Sequence, residues 1–286
     1  MVLSLNHYFA GKKIGYKKAI ELAADAGFDA LDIGFFDMKT GESPFLGDDY
    51  AQLCDELVAL AREKGVFFNQ AHAPFGGPYE KYKKESIPHF PRVFDCCERL
   101  GIKTLIIHPV QDGVYLGDEK RMFDLSVEFY KSLIPMAREH GVRIATENMW
   151  QRDADRHIID DVCAPPEEFA AMIDAVDSEW LVGCVDIGHI VLCGRDPYEY
   201  IKRMGKDRVR ALHVHDNDLA NDNHIAPFHG KINWDGVCAA LKEIGYDGDF
   251  TYEVDKTLSA TPEEVYPDML KYLESIGRYL IGKIEN

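Results

Sequence analysis

Gly101-Ile102-Lys103-Thr104-Leu105-Ile106-Ile107-His108 and, after one amphipathic stretch, His140-Gly141-Val142-Arg143-Ile144-Ala145-Thr146-Glu147 decide how this chain folds. In each, a glycine closes a helix pattern, a short apolar run follows, and the run ends in a residue that can bind a metal or move a proton. Glycine takes the left-handed conformation of a helix end without a Cβ penalty, and a short apolar run after such a stop reads as a buried strand. Between the two segments, Phe123–His140 has helical periodicity, so the order is strand, helix, strand.

The same unit repeats in both directions. Before it come strands at Leu3–His7, Ala30–Phe35 and Phe67–His72, with helices at Ile14–Ala26, Tyr50–Lys64 and Ser86–Leu100. After it come strands at Leu181–Asp186, Val209–His215 and Phe250–Glu253, with helices at Glu167–Ala175, Pro197–Met204, Trp234–Ile244 and Pro262–Ile281. Strand-helix alternation implies a parallel sheet, and eight units imply closure into an α/β (β/α)8 TIM barrel. An open doubly wound sheet would normally carry a glycine-rich phosphate loop after its first strand; Asn6–Lys12 shows no G-x-G-x-x-G. No linker or composition shift divides the chain, so residues 1–286 are expected to form a single barrel domain.

Composition narrows the function classes. A length of 286 residues suffices to bury about three quarters of the surface of the unfolded chain. No run approaches the roughly 20 apolar residues that a membrane span needs. Met1–His7 has no basic segment or cleavage signature, so it does not read as a signal peptide. The seven cysteines are odd in number, lack any C-x-x-C pair and mostly sit in apolar stretches, which reads as buried thiols in a reducing cytoplasm. The net charge of −17 argues against nucleic acid, whose phosphates must be neutralised by Lys and Arg; the basic cluster Lys81-Tyr82-Lys83-Lys84 stands alone. The expected partner is a small molecule, with an oligomer left open.

Position then singles out the chemistry. His72, His108, Glu147, Asp186, His215 and Glu253 end successive strands, and His189 follows Asp186 by one short turn. In a closed barrel these ends meet in one ring at the C-terminal mouth, where barrel active sites lie. Three carboxylates converging there repel one another, and a divalent cation is the simplest neutraliser. Mixed carboxylate and imidazole ligands suit Mn2+, Co2+, Zn2+ or Fe2+ and suit Ca2+ poorly; Mg2+ stays a candidate. Glu147, Asp186, His215 and Glu253 are expected to hold that ion, while His72, His108 and His189 face substrate or add ligands. Asp222 and His224 offer two further ligands from the loop after the seventh strand, or simply cap it. His213 is assigned the direction opposite to His215, outward into the helix layer or loop. His7 is a candidate for the mouth, and Trp234 reads as a packing anchor.

The motifs His72-Ala73-Pro74-Phe75, Ile107-His108-Pro109, Glu147-Asn148, Val185-Asp186-Ile187-Gly188-His189, His213-Val214-His215-Asp216, Asp222-Asn223-His224, Gly230-to-Trp234 and Tyr252-Glu253, in this order, cover nearly the whole chain. Together they resemble the xylose-isomerase-like barrel superfamily, which contains sugar isomerases and epimerases and also endonuclease IV. The resemblance implies one metal on Glu147, Asp186, His215 and Glu253, with the two glutamates doubling as acid and base and His189 contacting substrate oxygens. It implies a metal-dependent isomerase or epimerase acting on a sugar, sugar phosphate or inosose through an enediolate. The alternative it implies is a trinuclear zinc phosphodiesterase acting at abasic DNA, for which His72, His108, Glu147, Asp186, His189, His215, Asp222, His224 and Glu253 supply matches. Asp216–Asn221 holds no arginine where the ketose 3-epimerases of this family tend to carry one.

Overall fold

A computed structural model describes residues 1–6 and 8–286. His7 lies outside the described residues. In chain order the strands are β1 (Leu3–Asn6), β2 (Ala30–Gly34), β3 (Phe67–His72), β4 (Thr104–Ile106), β5 (Arg143–Glu147), β6 (Trp150–Arg152), β7 (Ile158–Asp160), β8 (Leu181–Asp186), β9 (Val209–His213) and β10 (Phe250–Tyr252). Eight of them form one parallel sheet in the order β10-β1-β2-β3-β4-β5-β8-β9. Just beyond β9, the Val214 amide donates to the Thr251 carbonyl at 2.9 Å and the Glu253 amide donates to the Val214 carbonyl at 3.1 Å. This Val214–Tyr252 bridge closes the (β/α)8 barrel.

The glycine punctuation read from the sequence is realised: Gly27, Gly65, Gly101, Gly141 and Gly245 each end a helix in the left-handed conformation. Alternation along the strands then sorts side chains into two cores. Leu105, Ile107, Ile144, Val185 and Leu212 face the helix layer and join the large outer core. Ile106, Ala145, Val182, Cys184 and Ala211 pack on one another as a separate cluster inside the barrel. That parity positions the site: continuing by two along each strand from Ile106, Ala145, Cys184 and Ala211 leads to His108, Glu147, Asp186 and His213.

Several short elements escaped the sequence reading. Short helices run at Tyr8–Ile14, Tyr79–Glu85, Ile187–Leu192 and Asp255–Ala260, and β6 and β7 make an antiparallel hairpin after β5. All of these follow barrel strands, in connections whose local pattern is too short to show periodicity. β2 and β10 stop one residue earlier than expected, at Gly34 and Tyr252, and β4 and β9 stop two residues earlier, at Ile106 and His213, so His108, His215 and Glu253 follow strand ends instead of forming them. No helix among the described residues is long and apolar enough to cross a membrane.

Candidate metal centre

The strand ends and the loops beyond them bring titratable side chains into four adjoining groups, in each of which all donor atoms lie within 4.8 Å of one another; one of them is His224, Glu253 and Asp255. The central group is Glu147, Asp186, His213 and Glu253, all buried. His213 Nδ1 lies 3.2 Å from Glu147 Oε1, 3.3 Å from Glu253 Oε2 and 3.9 Å from Asp186 Oδ2. Donors bonded to one four-coordinate ion at about 2.0–2.1 Å stand about 3.4 Å apart, so these separations fit a single divalent cation. Without one, three carboxylates would share a dry pocket at mutually repulsive distance.

This geometry corrects the direction assigned to His213. Residues two apart on a strand share a face, so His213 follows Ala211 into the barrel and cannot point into the helix layer. The register confirms it, because Asp186 and His213 are paired residues of β8 and β9. His215 instead belongs to a second group with His189, Asp222 and His224. Its Nε2 is 3.1 Å from Asp186 Oδ2, and its ring stacks on His224 at 4.1 Å between centroids and 8° between planes. The four residues read from the sequence as one ligand set therefore exchange one member: His213 stands among the three carboxylates, and His215 stands behind Asp186.

The third group is His72, His108 and Glu147. His72 Nε2 and His108 Nε2 are 2.9 Å apart, and His108 Nε2 is 3.2 Å from Glu147 Oε2. Glu147 thus faces the central group with one oxygen and the two histidines with the other. In the second group, His189 Nε2 lies 3.5 Å and His224 Nε2 3.0 Å from Asp222 Oδ2. His72 Nδ1 is 2.9 Å from the Ala73 carbonyl and His189 Nδ1 2.8 Å from the Asn148 carbonyl. Carbonyls only accept, so both Nδ1 atoms carry a proton and both Nε2 atoms point into the site, which is how metal-binding imidazoles are oriented.

Backbone-level devices hold these side chains still. Asn148 and Asp186 lock β5 to β8: the Asn148 amide donates to the Asp186 carbonyl at 2.9 Å and the Asp186 N–H donates to Asn148 Oδ1 at 2.8 Å. Asp186 Oδ1 accepts the His189 N–H at 2.7 Å, capping the helix Ile187–Leu192. Asp216, fully buried, accepts from the backbone of Asn217, Phe228 and Ile232 and from Trp234 Nε1. Trp234 is therefore the anchor the sequence indicated. Gly230 has to be glycine there, since a Cβ would stand 2.2 Å from Asp216 Oδ1. A Cβ on Gly188 would stand 2.0 Å from His215 Cε1. His215 cannot step aside, being held between Asp186 and His224. Gly188→Ala is expected to lose about 1–3 kcal/mol of stability, measured by urea unfolding. A variant as stable as wild type would mean that His215 is free to move.

Burial and the site's own charges set its proton affinities. Burial alone would raise Asp186 and Glu147, but His189 and His215 hold Asp186 below the usual carboxylate range, and His213 and His108 hold Glu147 well below it. Burial wins at Glu253, pushed up to about 8, and at Asp255, pushed up to about 6. Burial and His108 keep His72 well below the ordinary histidine value. Burial opposes a charge on His189 too, yet Asp186 and Asp222 hold its pKa well above that value.

Above the groups opens a cavity of about 450 Å3 into which His72, His108, Glu147, His189, Asp222 and Glu253 project, beside Tyr8, Phe36, Phe75 and Trp150. The aromatic residues and Asp255 are site members that the sequence reading did not single out. Only Asp255 carried a signal, two residues after Glu253; Trp150 reaches the mouth because the unforeseen β6–β7 hairpin folds back over it.

A family model described as xylose isomerase-like TIM barrel matches residues 20–276, and the chain belongs to that family. An inosose isomerase of Bacillus velezensis is 25% identical over 260 residues, covering 86% of each chain. Among solved structures, the IOLI protein with a bound zinc atom superposes with a TM-score of 0.75 at 20% identity, over 97% of this chain and 98% of its own. D-psicose 3-epimerase from Clostridium cellulolyticum H10 with D-tagatose gives 0.72 at 18% identity, over 98% and 99%. At these identities the structural likenesses establish the fold.

Proposed function

We propose that this chain is a divalent-metal-dependent isomerase or epimerase of a carbohydrate, moving a proton through an enediolate. The observation that carries this reading is the pair Glu147 and Glu253. They flank one His213 nitrogen at 3.2 and 3.3 Å and open onto one cavity. Two carboxyls facing one cavity beside a candidate ion can remove a proton from a substrate and return it. The inosose isomerase and the epimerases among the similar proteins support the carbohydrate class.

Glu147, Asp186, His213 and Glu253 would hold the ion. When bound, it supplies Lewis-acid polarisation of a substrate carbonyl and the neighbouring hydroxyl. Glu147 takes the proton from the intervening C–H and Glu253 returns one to the enediolate, or the reverse. Transfer from opposite faces inverts a centre, and transfer along one face exchanges carbonyl and hydroxyl. His72, His108 and His189 bind hydroxyls along the cavity wall. The same C–H step on an inosose would allow elimination of water. All seven cysteines are free, in keeping with a reducing compartment such as the cytoplasm.

A second reading, phosphodiester hydrolysis by a multinuclear centre, is favoured by the extra ligand groups that adjoin the central one and share Glu147 or Glu253 with it or abut Asp186. One experiment separates the two: metal content by mass spectrometry, followed by a screen of ketoses, aldoses and inososes with Mn2+ beside an abasic duplex. One ion per chain with sugar turnover is expected. Three zinc ions with nicking of the duplex would replace the first reading by the second.

A further inference from the structure

We propose that this chain pairs with a second copy of itself through the outer face of its C-terminal helix, Tyr266–Glu285, antiparallel about a two-fold axis between Ser275 and Ile276. The pairing goes beyond the isomerase or epimerase reading and does not depend on it. Val265, just before the helix, and Tyr272 and Tyr279 within it recur every seven residues, and all three are large apolar side chains turned to solvent. Tyr272 is 44% exposed and Tyr279 57%. Residues seven apart lie on nearly one line of a helix, so the three form a stripe.

The connection after β9 widens that stripe. Phe228 is 52% exposed, with its ring centre 6.1 Å from that of Tyr279. Its φ is 70°, a conformation that bulky residues rarely adopt, and its N–H donates to the buried Asp216 at 3.0 Å. Beside it, the Tyr272 hydroxyl and His229 Nε2 are 2.7 Å apart. The loop therefore holds an aromatic ring against the helix and out toward water. A contiguous exposed aromatic patch marks a contact face, and tyrosine and phenylalanine are enriched at the centres of such faces.

Charge and symmetry point to a second copy as the occupant. Each chain carries a net charge of −17, so two copies repel unless the touching faces lack acid. Screening confines that repulsion to charges within about 8 Å at physiological salt. Between Asp268 and Lys283 the exposed residues of the helix are Lys271, Tyr272, Ser275 and Tyr279, none of them acidic. Glu274, at the edge, is paired with Arg278 at 3.0 Å. The order of residues is also its own complement. From the proposed axis, Tyr272 and Tyr279 lie about one turn to either side, and Asp268 and Lys283 about two turns. Antiparallel pairing sets each Tyr272 against Tyr279 of the other copy and each Asp268 against Lys283 of the other copy, the match an isologous contact requires. Lys283 Nζ, paired with Asp235, stands 5.5 Å from the Tyr279 ring centre and so already lies along this face. The small Ser275 sits at the axis, where packed helices approach to about 8–10 Å.

Sedimentation equilibrium on the full chain at micromolar concentration is expected to give twice the chain mass. Tyr279→Glu puts a charge at the centre of the contact and is expected to raise the dimer dissociation constant at least about 100-fold, with the circular dichroism spectrum unchanged. Asp268→Lys and Lys283→Asp each set like charges opposite one another at both ends of their own dimer, and each is expected to weaken pairing about 10-fold. Mixing these two variants in equal amounts restores opposite charges at both ends, so a heterodimer of wild-type affinity is expected, read by native mass spectrometry. That recovery depends on the antiparallel register and on no other face of the molecule. A chain that stays monomeric, a dimer indifferent to Tyr279→Glu, or a mixture without recovery would each overturn the pairing.

Discussion

Glu147→Gln and Glu253→Gln are each expected to lower kcat by about 10²–10⁴-fold even with the metal fully loaded, the usual contribution of a general acid or base. Glutamine keeps the shape and one ligand oxygen but can neither accept nor deliver the proton. If the glutamates served only as ligands, saturating Mn2+ would restore the rate, and the base would have to be sought at His189 or His72. Both are ligand candidates, so each is ionised when the metal is bound and either can take the proton first. For an epimerase, each variant should still exchange the substrate proton with solvent from one face while losing net conversion. Deuterium uptake followed by NMR on metal-loaded variants reads this directly. Wild-type rates in both would remove the proton-transfer role.

The second large effect concerns the two histidines of His213-Val214-His215. His213→Ala removes the nitrogen standing among three carboxylates and leaves their charges opposed, so metal affinity is expected to fall by more than about 100-fold, beyond the range typical of supporting residues. His215→Asn removes the contacts of His215 with Asp186 Oδ2 and Asp222 Oδ1 and the stack on His224, and about 10–100-fold is expected. Mn2+ or Zn2+ titration by calorimetry checks both. The reverse order of effects would restore His215 as the ligand and demand a rearrangement of the β9 end on metal binding.

Much of this was legible in the chain itself. Glycine stops followed by apolar runs gave eight strand-helix units, because C-capping and burial on both faces of a parallel sheet act locally and leave local marks. The polar residues closing those runs marked the mouth, because a carboxylate after an apolar strand is costly unless something there uses it. Glu147, Asp186 and Glu253 were found in this way, as were His72, His108 and His189 at the rim.

Tertiary structure alone decided which of these residues meet. His213 and His215 share a face and a composition, and only the β8–β9 register sets His213 beside Asp186 while the end of β9 at His213 carries His215 behind it. Sequence spacing says nothing of pairing between strands that are 29 residues apart, as Asp186 and His215 are. The division into separate groups likewise depends on the loop that returns Asp222 and His224 over the mouth, fixed by the backbone donors gathered on Asp216. The aromatic wall was invisible for the same reason: Tyr8, Phe36, Phe75 and Trp150 come from four separate connections, each too short for periodicity to show. What a chain does locally is written in its neighbours along the sequence, whereas a site assembled from many strand ends is fixed only when the barrel closes.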